Sequence, residues 1–152
     1  MSTFIIEKAK LKNLKDLIYL LFEDDLGKER ENLSEKSMSK YRKSFTKILK
    51  DSNNEIFIMI LNDQIIGMMQ LTFIPGLSME GMTRCQIESV RIKKDYRNKG
   101  YGSELIKKGI EIAKLNKCGL IQLTSNKERL KAINFYKKLG FLCTHKSFKL
   151  DL

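Results

Sequence analysis

The stretch Gln86–Lys114 constrains the fold more than any other. An apolar run, Cys85–Ile92, leads through a turn rich in charge and glycine, Asp95–Gly102, straight into an amphipathic helix, Ser103–Asn116, whose stripe is Leu105, Ile106, Ile110 and Ala113. Such a unit cannot bury its apolar side alone and needs a sheet to lie against. The short apolar run Leu120–Thr124 supplies the next strand, so the unit reads as a β-α-β crossover. Lys127–Leu139 reads as a further helix with Gly140 at its C-cap, and Phe141–Leu150 as one or two closing strands.

The first half reads differently. Thr3–Lys10 is strand-like, with Phe4, Ile5 and Ile6. Asn13 is placed to cap a helix carrying Leu14, Leu17, Ile18 and Leu21. The polar stretch Leu26–Leu33, with Gly27, reads as a mobile connection, and Ser34 opens a second helix with Met38, Tyr41, Phe45 and Ile48 on one face. Glu55–Leu61 and Gln64–Phe73 form a hairpin about Asn62–Asp63, ended by Pro75 and Gly76. Leu77–Arg84 is a loop holding Met79 and Met82. The order β α α β β β α β α β predicts an α/β (α+β) fold, a mixed, mostly antiparallel sheet with helices on both faces. The 152 residues suffice for one core and are too few for two, so 1–152 is read as a single domain.

The charge of +11 favours an anionic partner, yet the lysines are interleaved with Glu and Asp and read mostly as solvated faces. No apolar run approaches the roughly 18 residues of a membrane span. The opening residues MSTFIIEKAK lack the long apolar stretch of an export signal. The three cysteines, Cys85, Cys118 and Cys143, are odd in number and widely spaced. They suit free thiols in a cytoplasmic protein better than disulfides, and with His145 as the sole histidine no metal site is expected.

The turn holding Arg97, Gly100 and Gly102 has the makings of a phosphate cradle. Glycines let the backbone approach a ligand closely, and the first amides of the following helix have no internal acceptors. Arg97 and Lys99 add positive charge. A dinucleotide-binding fingerprint would need glycine where Leu105 stands, and a P-loop would need a Gly-Lys-Ser/Thr ending, so both are excluded. Gly-x-Gly equally serves as a tight turn with no ligand.

Arg97-Asn98-Lys99-Gly100-Tyr101-Gly102 resembles the acetyl-CoA signature of the GNAT superfamily of N-acetyltransferases. Ala132-Ile133-Asn134-Phe135-Tyr136 through Leu139-Gly140-Phe141 resembles that family's Ala-x-x-Phe-Tyr-x-x-Leu-Gly-Phe helix end, and Glu88-Ser89-Val90 its central strand. The match covers Gln86 to Phe141. Arg129 stands where many members carry asparagine. The pattern Asn126, Arg129, Ala132, Phe135-Tyr136, with Thr144-His145 and Phe148, is similar to aminoalkylphosphonate N-acetyltransferases.

The resemblance implies acetyl transfer from acetyl-CoA to an amine. It implies Glu88 as the base, directly or through water, and Tyr136 as the general acid toward the leaving thiolate. The backbone of Val90, Arg91 and Ile92 would meet the acetyl group and the pantetheine arm. Arg97, Asn98, Lys99, Gly100, Tyr101, Gly102 and Ser103 would hold the diphosphate, and Asn126 and Arg129 would border the arm or the 3′-phosphate. Glu88 also reads as an ordinary surface glutamate, and Tyr136 as a core aromatic beside Ile133 and Leu139. His145 reads as a partly buried structural histidine or else a substrate contact, and Glu23, Asp24 and Asp25 as solvated or else a site for a cationic amine. The expected partners are acetyl-CoA and a small primary amine, with no nucleic acid and no membrane. Homodimers are frequent in the resembled family. The alternatives are a protein or peptide amine acetyltransferase, a catalytically silent CoA-binding module, and a basic nucleic-acid-binding protein.

Overall fold

A computed structural model describes residues 3–152. The β-branched runs pair as the alternation dictates. β1 (Phe4–Lys8), β2 (Asn54–Leu61), β3 (Gln64–Ile74) and β4 (Arg84–Ile92) are successively antiparallel, and β5 (Leu120–Leu123) joins β4 in parallel. Spatial order follows chain order. Asn62 and Asp63 turn the β2–β3 hairpin with φ of 48° and 60°, the left-handed pair that two-residue hairpins require.

The helices are α1 (Leu14–Phe22), α2 (Glu35–Lys50), a left-handed turn α3 (Ser78–Gly81), α4 (Tyr101–Leu115) and α5 (Leu130–Lys138). Ser34 caps α2, its hydroxyl accepting the Ser37 amide at 3.3 Å. One sheet face buries Met59, Met69, Leu71, Phe73, Cys85 and Ile87 against Leu105, Ile106 and Ile112 of α4, with Phe135, Tyr136 and Leu139 of α5 alongside. The other buries Ile58 and Met68 beneath Leu14, Leu17, Ile18 and Leu20 of α1 and Phe45 of α2. Each such side chain contributes about 1.5–3 kcal/mol of burial, so the two faces hold the sheet between helices as the element order predicts.

Three expectations are corrected. The segment Leu26–Leu33 is not a loose connection: its amides close turns onto Asp24 and Gly27, and Gly27 is buried so tightly that a Cβ there would lie 1.9 Å from the Leu21 carbonyl oxygen. Phe141–Leu150 forms no strand; Leu142, Phe148 and Leu150 are exposed. Its β-like composition fails because it makes no ladder with β5, and an apolar run without a partner has nothing to pair with. Helix α5 begins at Leu130, not Lys127, because the Asn126 side chain accepts the Glu128 amide at 2.9 Å and holds the preceding residues in a turn.

Candidate functional site

The site is built around an interruption in β4. Ser89 has a φ of 52°, and the β3 register slips there: Gln70 faces Glu88, whereas Met68 faces Arg91. This bulge re-aims the strand. Pairing of β4 with β5 stops at Ile87↔Leu123, so 88–92 continue without a partner strand on that side. The backbone of Val90, Arg91 and Ile92 therefore has no strand partner on the β5 side.

The turn at the end of β4 leads into α4. Asn98 and Gly100 take positive φ, 60° and 86°, and Gly100 is the N-cap of α4. Having no side chain, it offers the helix start no side-chain acceptor. The Ser103 and Glu104 amides return to the Gly100 carbonyl at 3.0 and 3.2 Å, while those of Tyr101 and Gly102 find no acceptor among the described residues. Free amides at the positive end of a 15-residue helix fit an anion. A Cβ on Gly102 would stand 3.4 Å from the Phe135 ring, an ordinary van der Waals contact, so α5 packs directly against the helix start. The charged side chains of the turn are engaged locally. Arg97 Nε donates to the Ile92 carbonyl at 2.9 Å, and Lys99 Nζ lies 5.7 Å from the Tyr96 ring centre.

Tyr136 is fixed by the way α5 ends. The Gly140 amide donates to the Lys137 carbonyl and the Phe141 amide to that of Tyr136, at 3.0 and 3.1 Å, with Gly140 at φ 90°. These are the paired bonds of a Schellman cap, and the Phe141 ring packs edge-on to Tyr136 at 5.8 Å. Burial raises the phenol's pKa above 10, against the opposing charges of Arg91 and Arg129, so the hydroxyl keeps its proton at neutral pH. Glu88 is exposed on the opposite face of β4 from Ile87.

On that face the sheet is polar beyond the cover of α1 and α2. Cross-strand pairing lines up Asn54, Thr72, Gln86 and Gln122, with Gln70 opposite Glu88. The Thr72 hydroxyl donates to Asn54 Oδ1 at 2.7 Å and Gln122 Nε2 to Gln86 Oε1 at 2.8 Å. At its margin Asp24 accepts both terminal nitrogens of Arg129 and the Gly27 amide at 3.2 Å, and Arg91 approaches it at 3.7 Å. Burial works to raise the Asp24 pKa, but the Arg129 hydrogen bonds and the charges of Arg91 and Arg129 together hold it below 3.8.

Val90, Arg91 and Ile92 lie beyond the last β4–β5 pair, the Arg97–Ser103 turn leads from them into α4, and Val90, Ile92 and Tyr136 pack against the same core cluster. Asn126 is spent on its own turn, and Arg129 is paired with Asp24. His145 is not partly buried: it lies exposed in the tail with its Nδ1 2.7 Å from the Thr144 hydroxyl. Glu23 and Asp24 are not solvated either. Glu23 accepts the Lys94 amide at 2.7 Å and pairs with Arg97 at 3.9 Å. The polar row and the Asp24 cluster escape a reading of motifs. The alternation of Gln70 and Thr72 with Leu71 and Phe73 signals the first; the partners of Asp24 lie too far along the chain to be read locally.

The comparisons with known proteins show the family and the fold. The model of the acetyltransferase (GNAT) family matches residues 14–141, and the chain belongs to that family. A crystal structure from Bacillus halodurans C-125, described as a transcriptional regulator, is 37% identical and superposes with a TM-score of 0.95 over 99% of this chain and 100% of its own. An uncharacterized N-acetyltransferase of Methanocaldococcus jannaschii is 26% identical over 140 residues; the match covers 92% of this chain and 61% of that protein. A predicted acetyltransferase of Clostridium acetobutylicum, solved with acetyl-CoA, shares the fold with a TM-score of 0.77 at 20% identity, covering 98% of this chain and 96% of its own.

Proposed function

We propose that the protein is an acetyl-CoA-dependent N-acetyltransferase acting on a small primary amine. The observation that carries this reading is that β4–β5 pairing ends at Ile87↔Leu123, which leaves a slot along 88–92 beside the uncapped, glycine-led start of α4. The slot suits an extended arm that adds to the β4 edge through backbone hydrogen bonds, and the amides of Tyr101 and Gly102 suit the diphosphate. Arg97 then acts mainly by tying the turn to the Ile92 carbonyl, while Asn98, Lys99 and Ser103 border the anion. Asn126 shapes the approach to α5.

Three tasks define the chemistry. An ammonium has no lone pair, so the acceptor must lose a proton; Glu88, on the exposed polar face, takes it directly or through water. The amine nitrogen then bonds to the thioester carbonyl carbon, and the developing oxyanion is met by the Val90 amide. As the C–S bond breaks, the thiolate takes the proton of the Tyr136 hydroxyl, which is protonated at neutral pH, and the resulting phenolate recovers a proton from the acylated nitrogen, leaving the neutral amide. A homodimer and a cytoplasmic location complete the reading; light scattering and cell fractionation test them. Chromatographic detection of CoA release across an amine library tests the activity. Saturable release with at least one amine is expected, and none with any amine would reject it.

A second reading, nucleic-acid binding, is favoured by one surface. Lys36, Lys40, Lys43, Lys47 and Lys50 fall on a single exposed stripe of α2, and the Bacillus halodurans relative is described as a transcriptional regulator. A gel-shift titration at two salt concentrations decides it: binding whose affinity falls steeply with salt supports this reading, and no shift at low salt rejects it.

A further inference from the structure

The sheet ends on an unguarded edge. β5 pairs with β4 alone, and no other backbone group bonds to Leu120–Leu123 among the described residues. The run Leu-Ile-Gln-Leu carries no charge and no proline, the devices that usually keep a free edge from pairing. Ile121 and Leu123 pack at the margin of the core shared with α4 and α5 and are only partly buried. The apolar layer on that face thus reaches the edge and ends there half covered.

The same chain carries an unpaired strand-like segment. Phe148, Leu150 and Leu152 alternate with Lys149 and Asp151, so an extended 148–152 has one apolar and one charged side. Leu142 and these three apolar residues are each more than four-fifths exposed. Residues 142–152 make no backbone hydrogen bond within the chain. Their exit from α5 is nonetheless fixed, because the Schellman cap at Gly140 and Phe141 sets the direction of the chain. The Bacillus halodurans structure superposes with a TM-score of 0.95 over 99% of this chain, more than residues 1–141 alone could give, so part of the segment runs the same course there. An exposed apolar segment with no bonds of its own keeps one course when something outside its chain receives it.

We infer that 148–152 of one copy adds as an edge strand to β5 of a second copy, and that the second copy returns the same strand, so that two chains dimerise by exchange. Each copy holds both halves of the contact, an open edge and a free strand, and a two-fold axis satisfies both at once. Main-chain hydrogen bonds supply the pairing. Phe148, Leu150 and Leu152 carry the apolar layer past Ile121 and Leu123, while Lys149 and Asp151 fall on the polar face beside Gln122.

This inference deepens the homodimer of the proposed function, and its test separates the two. Light scattering of the full chain at micromolar concentration should give twice the 17.7 kDa of one chain. The double variant Phe148→Asp, Leu150→Asp should fall to the mass of one chain yet still unfold cooperatively, because both side chains are exposed within their own chain. Crosslinking then places the strand. Chains with Leu150→Cys and chains with Gln122→Cys, both in a Cys118→Ser, Cys143→Ser background, are refolded together and treated with a short bismaleimide. Peptide mapping should find position 150 of one chain linked to position 122 of the other. A single-chain mass for the wild type would overturn both the exchange and the homodimer. A dimer that survives Phe148→Asp, Leu150→Asp, or one in which position 150 never links to position 122 of another chain, would overturn the exchange and leave the homodimer standing.

Discussion

The ring of Tyr136 meets the ring of Phe141 edge-on at 5.8 Å, and the same two residues are joined by a backbone hydrogen bond of 3.1 Å across the end of α5. The capping motif of this helix is therefore also the device that orients its phenol. Gly140 makes the arrangement accessible through a φ of 90°, and an added Cβ there would meet nothing within 4 Å. Gly140→Ala should thus be a pure backbone test. It is expected to cost about 1 kcal/mol in stability, seen as a lower denaturant midpoint, and to reduce kcat more than it raises the KM for acetyl-CoA.

Tyr136→Phe removes the hydroxyl proposed as the proton donor and keeps the ring contacts with Phe135 and Phe141. Turnover should fall by about 10²–10⁴-fold, while calorimetric binding of acetyl-CoA stays near normal. Glu88→Gln should behave likewise, with its loss eased at higher pH, where more of the amine is already unprotonated. Unchanged rates in both variants would show the acid and base to be other groups.

Asp24 ties α1 to the start of α5 across 105 positions of sequence. Asp24→Asn should lower stability by roughly 2 kcal/mol, below the range for fully buried pairs because Arg129 retains some exposure. The sign of its pH dependence follows from its lowered pKa. The folded state binds the proton more weakly than the unfolded chain, so the contribution is full above the unfolded value of about 3.9 and is lost as pH falls through the lower folded value. Acid titrations of wild type and variant, followed by circular dichroism, should converge at low pH. A constant gap down to pH 2 would contradict this account.

The cysteines should differ sharply in reactivity. Burial, with the nearby Cys118 adding to it, pushes the Cys85 thiol up to about 12, whereas Cys143 lies exposed in the tail. Under native conditions a disulfide reagent should modify Cys143 first and Cys85 only on unfolding. Rapid labelling of Cys85 in the folded protein would show the sheet opening there.

The elements were legible where local chemistry decides them. Asn62–Asp63 specify a hairpin, Ser34 a helix start and Gly140 a helix end, and each works as expected. The glycine turn before α4 was legible for the same reason. The bulge at Ser89 was not, because it arises from the register between β3 and β4 rather than from any residue's own preference. Nor was the order in Leu26–Leu33, which depends on Gly27 fitting against the Leu21 carbonyl. The tail shows the opposite failure: Phe148 and Leu150 alternate like a strand, yet composition cannot supply the neighbour that a strand needs.

The central claim is that the start of α4 holds a diphosphate beside the end of β4 that β5 leaves unpaired. Calorimetric titration with acetyl-CoA, set against S-acetylpantetheine, which lacks the diphosphate, tests it most directly. Saturable one-to-one binding of acetyl-CoA, weakened severalfold or more by Gly100→Ala and lost with S-acetylpantetheine, is the predicted result. No heat with acetyl-CoA at saturating excess, or equal affinity for the two compounds, would contradict it.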